Sequence, residues 1–323
     1  DVYKRQALSV AYGGAVFAGG LMALPVGRFA DRHGVRLIVG TGAVLGCLGL
    51  VAFSISTQPW QVVAAWWLLI GPAQAMVYYE PAYVAIDRWS QVGDRATTLA
   101  TITVIGGLAG IIFIPLAARL VDAVGWRWTV SSLGILLLVV GTTTAVFALP
   151  PSGPGAADHS SQPRRRALLS QLLRDWRFVL YTVALMLVLL STQGVIAHRV
   201  ARFEETGFSL EAVAFWAAAA SALSLTGRWI APRLAVRFCA TRVQATIAMI
   251  VAFSVALMVN GAASCQMVGH FFLFGMALVA LFPLRSMVMS NLYSGPAFGA
   301  TIGTQWSAVV LVAATGPVLV GVL

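Results

Sequence analysis

One acid and one arginine stand inside long apolar stretches of the sequence. Glu80 follows two tyrosines in YYEP, and Arg285 follows a proline in FPLRSM. An ionisable group in a membrane span usually faces a partner or a water-filled cavity. Glu80 is therefore a candidate proton carrier, and Arg285 is a candidate ligand of an anionic solute. The alternative for both is structural, either as an ion pair that closes one side of the protein or, for Arg285, as snorkelling to lipid headgroups.

Further polar and aromatic side chains on such stretches are candidates for contact with a small solute. They are Gln74, Tyr78, Tyr79, Gln193 and Arg228. Tyrosine also anchors helices at the membrane interface, so anchoring is the alternative for the tyrosines.

The sequence has no pattern that is typical of metal, cofactor or nucleotide binding. The four histidines do not group, and the three cysteines are too widely separated for metal ligands. The GKS or GKT of a nucleotide-binding loop does not occur. We predict no metal, no cofactor and no enzymatic activity, and we expect a gradient to supply any energy.

The stretch GRFADRHGVR, residues 27–36, packs charges between two apolar runs. Asp31 can accept hydrogen bonds and can face the positive N-terminal end of a neighbouring helix. Arg32 and Arg36 can reach carboxylates or lipid phosphates. We expect a short loop here, with Asp87 as the acidic partner of Arg32 or Arg36.

The elements that position these residues are membrane-spanning helices. The chain is 59% hydrophobic and only 10% charged, whereas a soluble domain carries about 25% charge. Apolar runs of about 20 residues are long enough to cross the hydrocarbon core as helices. Ten such spans are predicted, at residues 7–27, 37–57, 61–87, 96–118, 128–149, 178–198, 211–231, 243–261, 265–290 and 299–323.

Arginines are concentrated in alternate loops between these spans, starting with Arg28, Arg32 and Arg36. Short loops rich in arginine remain on the cytoplasmic side, which orients the chain. The net charge of +10 is spread over these loops instead of forming one basic face, so nucleic acid is not an expected partner.

A polar segment divides the spans five and five. We predict a possible sequencing scar at 1–6, an N-terminal bundle at 7–149, a flexible cytoplasmic linker at 150–176 and a C-terminal bundle at 177–323. Gly27-Arg28 recurs as Gly227-Arg228, and Gly71 recurs as Gly275, in the same order in both halves. The pattern predicts two parallel repeats with a solute site between them, a common plan of transporters.

Gly27, Asp31, Arg32, Gly34 and Arg36 have the spacing of a known signature, and the chain resembles the major facilitator superfamily. That resemblance implies an all-α membrane protein with two pseudo-symmetric helical bundles and ten of the twelve family helices, numbers 2 to 11. It also implies that the signature residues, with Asp87, form a gate that stabilises one conformation.

The sequence departs from the family pattern in two places. Trp67 stands four residues before Gly71, where many proton-coupled members carry an arginine. The second copy of the signature has Ala231 in place of the acid, so a gate of this kind would rest on Asp31 alone.

The predicted function is secondary transport of a small solute by alternating access, with an organic anion as the favoured solute. One alternative is efflux of hydrophobic compounds or drugs, and another is a membrane sensor that does not transport. The expected partners are the small-molecule substrate, a possible coupling proton and the lipid bilayer. We expect a monomer in the inner (plasma) membrane of a bacterium.

Overall fold

A computed structural model describes residues 2–90, 94–149, 165–259, 263–295, 297–316 and 319. Helices joined by short turns account for nearly all of these residues. The α-helices are α1 (Val2–His33), α2 (Val35–Ile55), α3 (Pro59–Ala65), α4 (Gly71–Val77), α5 (Tyr79–Trp89), α6 (Arg95–Val124), α7 (Trp126–Thr143), α8 (Arg165–Arg174), α9 (Trp176–Glu205), α10 (Leu210–Phe238), α11 (Ala240–Val259), α12 (Ser264–Tyr293) and α13 (Phe298–Ala313).

Nine helical segments within the described residues are long and apolar enough to cross a membrane. They correspond to the first nine predicted spans, and the all-α membrane fold is confirmed. The tenth predicted span, 299–323, contains a shorter helix, α13, of 16 residues. Several residues after it lie outside the described part of the chain.

The third span is broken into pieces. A π-helical stretch, Trp66–Ile70, separates α3 from α4, and Tyr78 adopts an extended backbone between α4 and α5. Pro72 and Pro81 lie just inside α4 and α5, where their missing N–H groups are tolerated. By contrast, Pro115 and Pro283 lie inside continuous helices, α6 and α12.

The stretch 27–36 is not a loop, which corrects the prediction. Helix α1 continues through it to His33, and only Gly34 interrupts the helical backbone before α2 begins. Gly34 has φ 83°, a conformation that favours glycine. The charged residues of this stretch are compatible with a helix, so Asp31 projects from α1 itself.

The segment 150–176, predicted to be a flexible linker, contains a helix. Residues 150–164 lie outside the described part of the chain, but residues 165–174 form α8. Leu168 and Leu172 are four positions apart, on one helix face, and both are buried. The predicted scar at 1–6 begins outside the described residues, while Val2 already belongs to α1.

The described residues divide into two compact units. The described residues within 1–89, 112–186 and 293–314 form the first unit, and those within 90–111, 187–292 and 315–323 form the second. The predicted bundles at 7–149 and 177–323 follow different boundaries and stay a prediction.

Close helix packing depends on glycine in both units. In the first unit, Gly71 of α4 lies against the backbone of Ala15, where an added Cβ would be 2.6 Å from the Ala15 carbonyl oxygen. In the second unit, Gly275 of α12 lies against the carbonyl oxygen of Ala220. The sequence pairs Gly71 with Gly275 as equivalent positions, and both allow close helix packing. The internal repeat itself stays a prediction.

Candidate functional site

The carboxylate of Asp31 lies at the N-terminal end of α13, in the first unit. Its Oδ1 accepts the backbone N–H of Gly299 at 3.0 Å, and its Oδ2 accepts that of Ala300 at 2.7 Å. The first N–H groups of a helix lack partners within the helix and carry its positive dipole end. Asp31, only 1% exposed, therefore supplies a negative charge where α13 requires one.

Arg88 of α5 completes the neutralisation of Asp31. One guanidinium nitrogen donates to Oδ1 of Asp31 at 2.9 Å, and the other donates to the carbonyl oxygen of Ala30 at 3.0 Å. The two side chains are only 8% and 1% exposed. A buried acid is thus held by a cation and by two backbone donors, an arrangement that compensates the loss of water.

Glycines allow α1 and α13 to approach closely around Asp31. Gly27 faces the backbone of Gly299, and there is no space between them for a side chain on Gly27. A Cβ on Gly299 would lie 2.7 Å from Oδ1 of Asp31. These glycines permit the short distance that the hydrogen bonds of Asp31 require.

The sequence analysis predicted that Asp87 pairs with Arg32 or Arg36, and the structure contradicts one of these two pairs. Arg36 makes no hydrogen bond or ion pair with any residue that the structure describes, so a pair between Asp87 and Arg36 is not formed. A pair between Asp87 and Arg32 stays a prediction. The sequence analysis missed Arg88 as the partner of Asp31, although Arg88 directly follows Asp87.

Glu80 is buried, 8% exposed, in the first turn of α5. It lines a small cavity of about 10 Å³ together with Gly27, Gly299 and Gly303. Glu80 thus lies beside the contact between α1 and α13.

A larger cavity, of about 340 Å³, lies within the second unit. The described residues that line it include two arginines, two serines and no acid; they are Gly106, Gly107, Gly110, Ile196, Arg199, Ala217, Ala220, Ser221, Ser224, Arg228, Phe274, Gly275, Leu278 and Val279. The cavity therefore combines positive charge with an apolar wall.

The two arginines of this cavity are fixed by different contacts. Arg228 of α10 donates to the carbonyl oxygen of Thr103 at 2.8 Å. The guanidinium of Arg199 lies 5.2 Å from the ring centre of Phe271 and 5.6 Å from that of Phe274. The ring faces attract the cation without neutralising it as a carboxylate would.

Of the predicted solute ligands, only Arg228 lines this cavity. Arg285 is buried in α12, and Gln193 is exposed on α9. Gln74 is half-buried in the first unit, where Tyr78 is 62% exposed and Tyr79 stacks on Tyr83. Glu80 and Arg285 belong to different units, and their predicted pairing stays a prediction.

Arg199 is not among the residues that the sequence analysis proposed for a solute site, although it lines this cavity. No group of three or more metal-ligating side chains occurs in the part of the chain that the structure describes. His270 is fully buried, with Nδ1 2.8 Å from the Ser254 carbonyl oxygen and with aromatic rings around it.

The comparisons of the sequence and of the fold with known proteins all find membrane transporters. The sequence profile of the Major Facilitator Superfamily matches residues 3–322. The MFS-type transporter pynF of Aspergillus niger is 27% identical over 178 residues, which are 54% of this chain and 38% of that protein. Monocarboxylate transporter 13 of Bos taurus is 29% identical over 213 residues, which are 63% of this chain and 47% of that protein.

The same fold occurs among solved structures. The crystal structure of the Major Facilitator Superfamily transporter FucP in the outward conformation has a TM-score of 0.77, with 97% of this chain and 81% of FucP covered. At 13% identity this likeness concerns the fold alone. The matches to the two curated relatives span less than half the length of each, and these relatives are fungal and bovine, so the predicted bacterial origin finds no support in them.

Proposed function

This chain belongs to the Major Facilitator Superfamily, and on that premise we propose that it forms the transport core of a secondary transporter for a small organic anion. The solute would cross the membrane by alternating access, with two conformations that open the binding cavity to opposite sides in turn. A gradient would supply the energy.

The cavity of the second unit is the observation that carries this proposal. Arg199 and Arg228 both line it, and no acid is among the described lining residues. An arginine can bind a carboxylate through two parallel hydrogen bonds. Ser221 and Ser224 add hydroxyl groups, and Phe274 and Leu278 offer apolar contact to the rest of the solute. A small carboxylate with an apolar body fits this combination.

The name of one relative favours the same substrate class. Among them is a protein named monocarboxylate transporter 13, whose match covers 63% of this chain. We extend the monocarboxylate of that name to this chain because its cavity presents arginines.

The contact of Asp31 with α13 supports a gating role for the signature residues. Asp31 and Ala300 are 269 positions apart, and they fall in different bundles of the predicted two-bundle plan. A change of conformation that separates α1 from α13 must break two charge-assisted hydrogen bonds and re-expose a buried acid. The hydrogen bonds of Asp31 would therefore stabilise the conformation with α1 against α13.

Efflux of hydrophobic compounds is the second candidate. The apolar wall of the cavity, with Ile196, Phe274 and Val279, favours it. Trp67 weakens it, because Trp67 stands where many proton-coupled members carry an arginine. Its indole N–H donates to the carbonyl oxygen of Val10 at 3.1 Å, which is a packing role.

Uptake into proteoliposomes distinguishes these functions. The purified transporter is tested with a labelled small monocarboxylate and with a lipophilic cationic dye, with and without a pH gradient. Accumulation of the carboxylate alone supports the proposal, and accumulation of the dye alone supports efflux. Binding of a carboxylate without any flux would favour the sensor that does not transport. Dependence on the pH gradient would identify proton coupling.

A further inference from the structure

A groove on the first unit runs along α2, and Thr142 of α7 also lines it. Its volume is about 510 Å³, and its lining includes Arg36, Leu37, Val44 and Leu48 of α2. The three apolar side chains are 51%, 44% and 56% exposed. Helix α2 is long and apolar enough to cross a membrane, so we expect its exposed groove to face the hydrocarbon region along most of its length.

The two hydroxyl groups of the groove are satisfied within their own helices. The hydroxyl of Thr41 donates to the Leu37 carbonyl oxygen at 2.7 Å, and that of Thr142 donates to the Leu138 carbonyl oxygen at 2.6 Å. The groove therefore presents methyl and methylene groups along its walls. Such a surface fits a hydrocarbon chain better than a polar solute.

Arg36 provides the only charge among the described residues that line the groove. It lies in the first turn of α2, at the end of the candidate span, and makes no hydrogen bond or ion pair with the described residues. A guanidinium at that depth is positioned at the level of the lipid headgroups, where phosphate is the complementary group.

The length of the groove matches one half of a bilayer. Arg36 and Leu48 are twelve positions apart on one helix, about 18 Å at 1.5 Å per residue. One leaflet contributes about 15 Å of the hydrocarbon core. We infer that the groove binds one phospholipid with an anionic headgroup, its phosphate on Arg36 and an acyl chain along α2.

Native mass spectrometry of the purified 323-residue chain in detergent tests this site. The chain is titrated with dioleoylphosphatidylglycerol and, separately, with dioleoylphosphatidylcholine. We expect Arg36→Gln to lower phosphatidylglycerol occupancy by about fivefold, the effect of one basic residue at an anionic surface, and to change phosphatidylcholine occupancy little. Arg36→Lys keeps the charge and should keep most of the preference.

A second variant tests the acyl part of the site. A Cβ on Gly40 would lie 3.5 Å from the Cβ of Ala145, an ordinary contact, so Gly40→Leu should fold and fill the groove. We expect it to lower the occupancy of both lipids. Gly13→Leu is the matched control, because Gly13 is exposed with nothing within 4 Å of an added Cβ. Arg237→Gln removes an exposed arginine on α10 and is the matched control for charge.

Unchanged phosphatidylglycerol occupancy in Arg36→Gln, or equal loss in Arg237→Gln, overturns the headgroup assignment. Unchanged lipid occupancy in Gly40→Leu overturns the acyl assignment. A native chain that binds neither lipid overturns the whole proposal. If Arg36→Gln does not elute as folded protein, Arg36→Lys and Gly40→Leu decide the outcome.

Discussion

The carboxylate of Asp31 and the backbone N–H of Ala300 are 2.7 Å apart, although 269 positions separate them in the chain. This hydrogen bond joins α1 to the positive end of α13 and requires an ionised acid for full strength.

Replacement of Asp31 by asparagine should leave the protein inserted but slow its transport. The asparagine has nearly the same shape, but it removes the negative charge that Arg88 and α13 share. Hydrogen bonds to charged groups contribute about 1.5–3 kcal/mol each, so we expect initial uptake in proteoliposomes to fall by about tenfold or more. Asp122→Asn, an exposed acid on α6, is the control. Unchanged uptake kinetics in Asp31→Asn would remove the gating role of Asp31.

Arg88→Gln should be destabilising mainly through Asp31. It leaves a buried carboxylate without its cation, which costs about 3–5 kcal/mol when one partner of a buried pair is lost. The double variant Asp31→Asn with Arg88→Gln should be more stable than Arg88→Gln alone, because no unpaired charge remains. Thermal unfolding of all four proteins forms a double-mutant cycle. Additive changes in melting temperature would contradict the coupling.

Gly299→Ala should separate α1 from α13 by steric pressure. The added Cβ would lie 2.7 Å from Oδ1 of Asp31, close to the backbone of Gly27. Overpacking of this kind costs about 1–3 kcal/mol. We expect a lower melting temperature and weaker protection of the Ala300 amide in hydrogen exchange. In contrast, Gly13→Ala should be neutral or slightly stabilising, because its surroundings are open. An equal effect of both substitutions would indicate that helix propensity, not the contact with Asp31, is responsible.

Much of this architecture could be predicted from apolar runs and glycines alone. The first nine spans were predicted, because hydrocarbon thickness fixes the length of a spanning helix. The sequence predicted that Asp31 can face the N-terminus of a helix, but it did not predict which helix. Arg88 and Gly299 could not be found, because hydropathy says nothing about which helices lie side by side.

Arg199 illustrates the same limit at the cavity. In the sequence it is one more arginine near the end of a predicted span, with no feature that marks it as a cavity residue. Its place in the cavity depends on Phe271 and Phe274, more than seventy positions later, which hold the guanidinium over their rings. The helix Arg165–Arg174 was missed for another reason, since the polar composition of the segment concealed the four-residue spacing of Leu168 and Leu172.

The pair of Asp175 and Tyr293 should make stability depend on acid pH. The Tyr293 hydroxyl donates to Asp175 at 2.6 Å and holds the pKa of that carboxyl below its usual value of 3.8. A depressed pKa stabilises the folded state above pH 3.8, and that contribution is lost as the pH falls through the folded pKa. The melting temperature of the native protein should therefore exceed that of Tyr293→Phe at neutral pH, and the gap should close in strong acid. A gap that persists below the folded pKa would assign the difference to packing on Phe178, whose ring lies 5.8 Å from Tyr293.

Arg228 and Gly107 together test the anion cavity. Arg228→Gln removes a guanidinium from the cavity, and we expect KM for a small monocarboxylate to rise by about tenfold or more, since a charge-assisted hydrogen bond is lost. Gly107→Ala keeps every charge but would place a Cβ 3.2 Å from Nε of Arg228 and 2.7 Å from Cδ2 of Leu225. That substitution should raise KM by displacing the arginine, with a smaller effect than its loss. Arg237→Gln, exposed at the end of α10, should leave KM unchanged. If Arg228→Gln lowers the maximal rate at unchanged KM, Arg228 serves the conformational change through its bond to Thr103 and does not bind the solute.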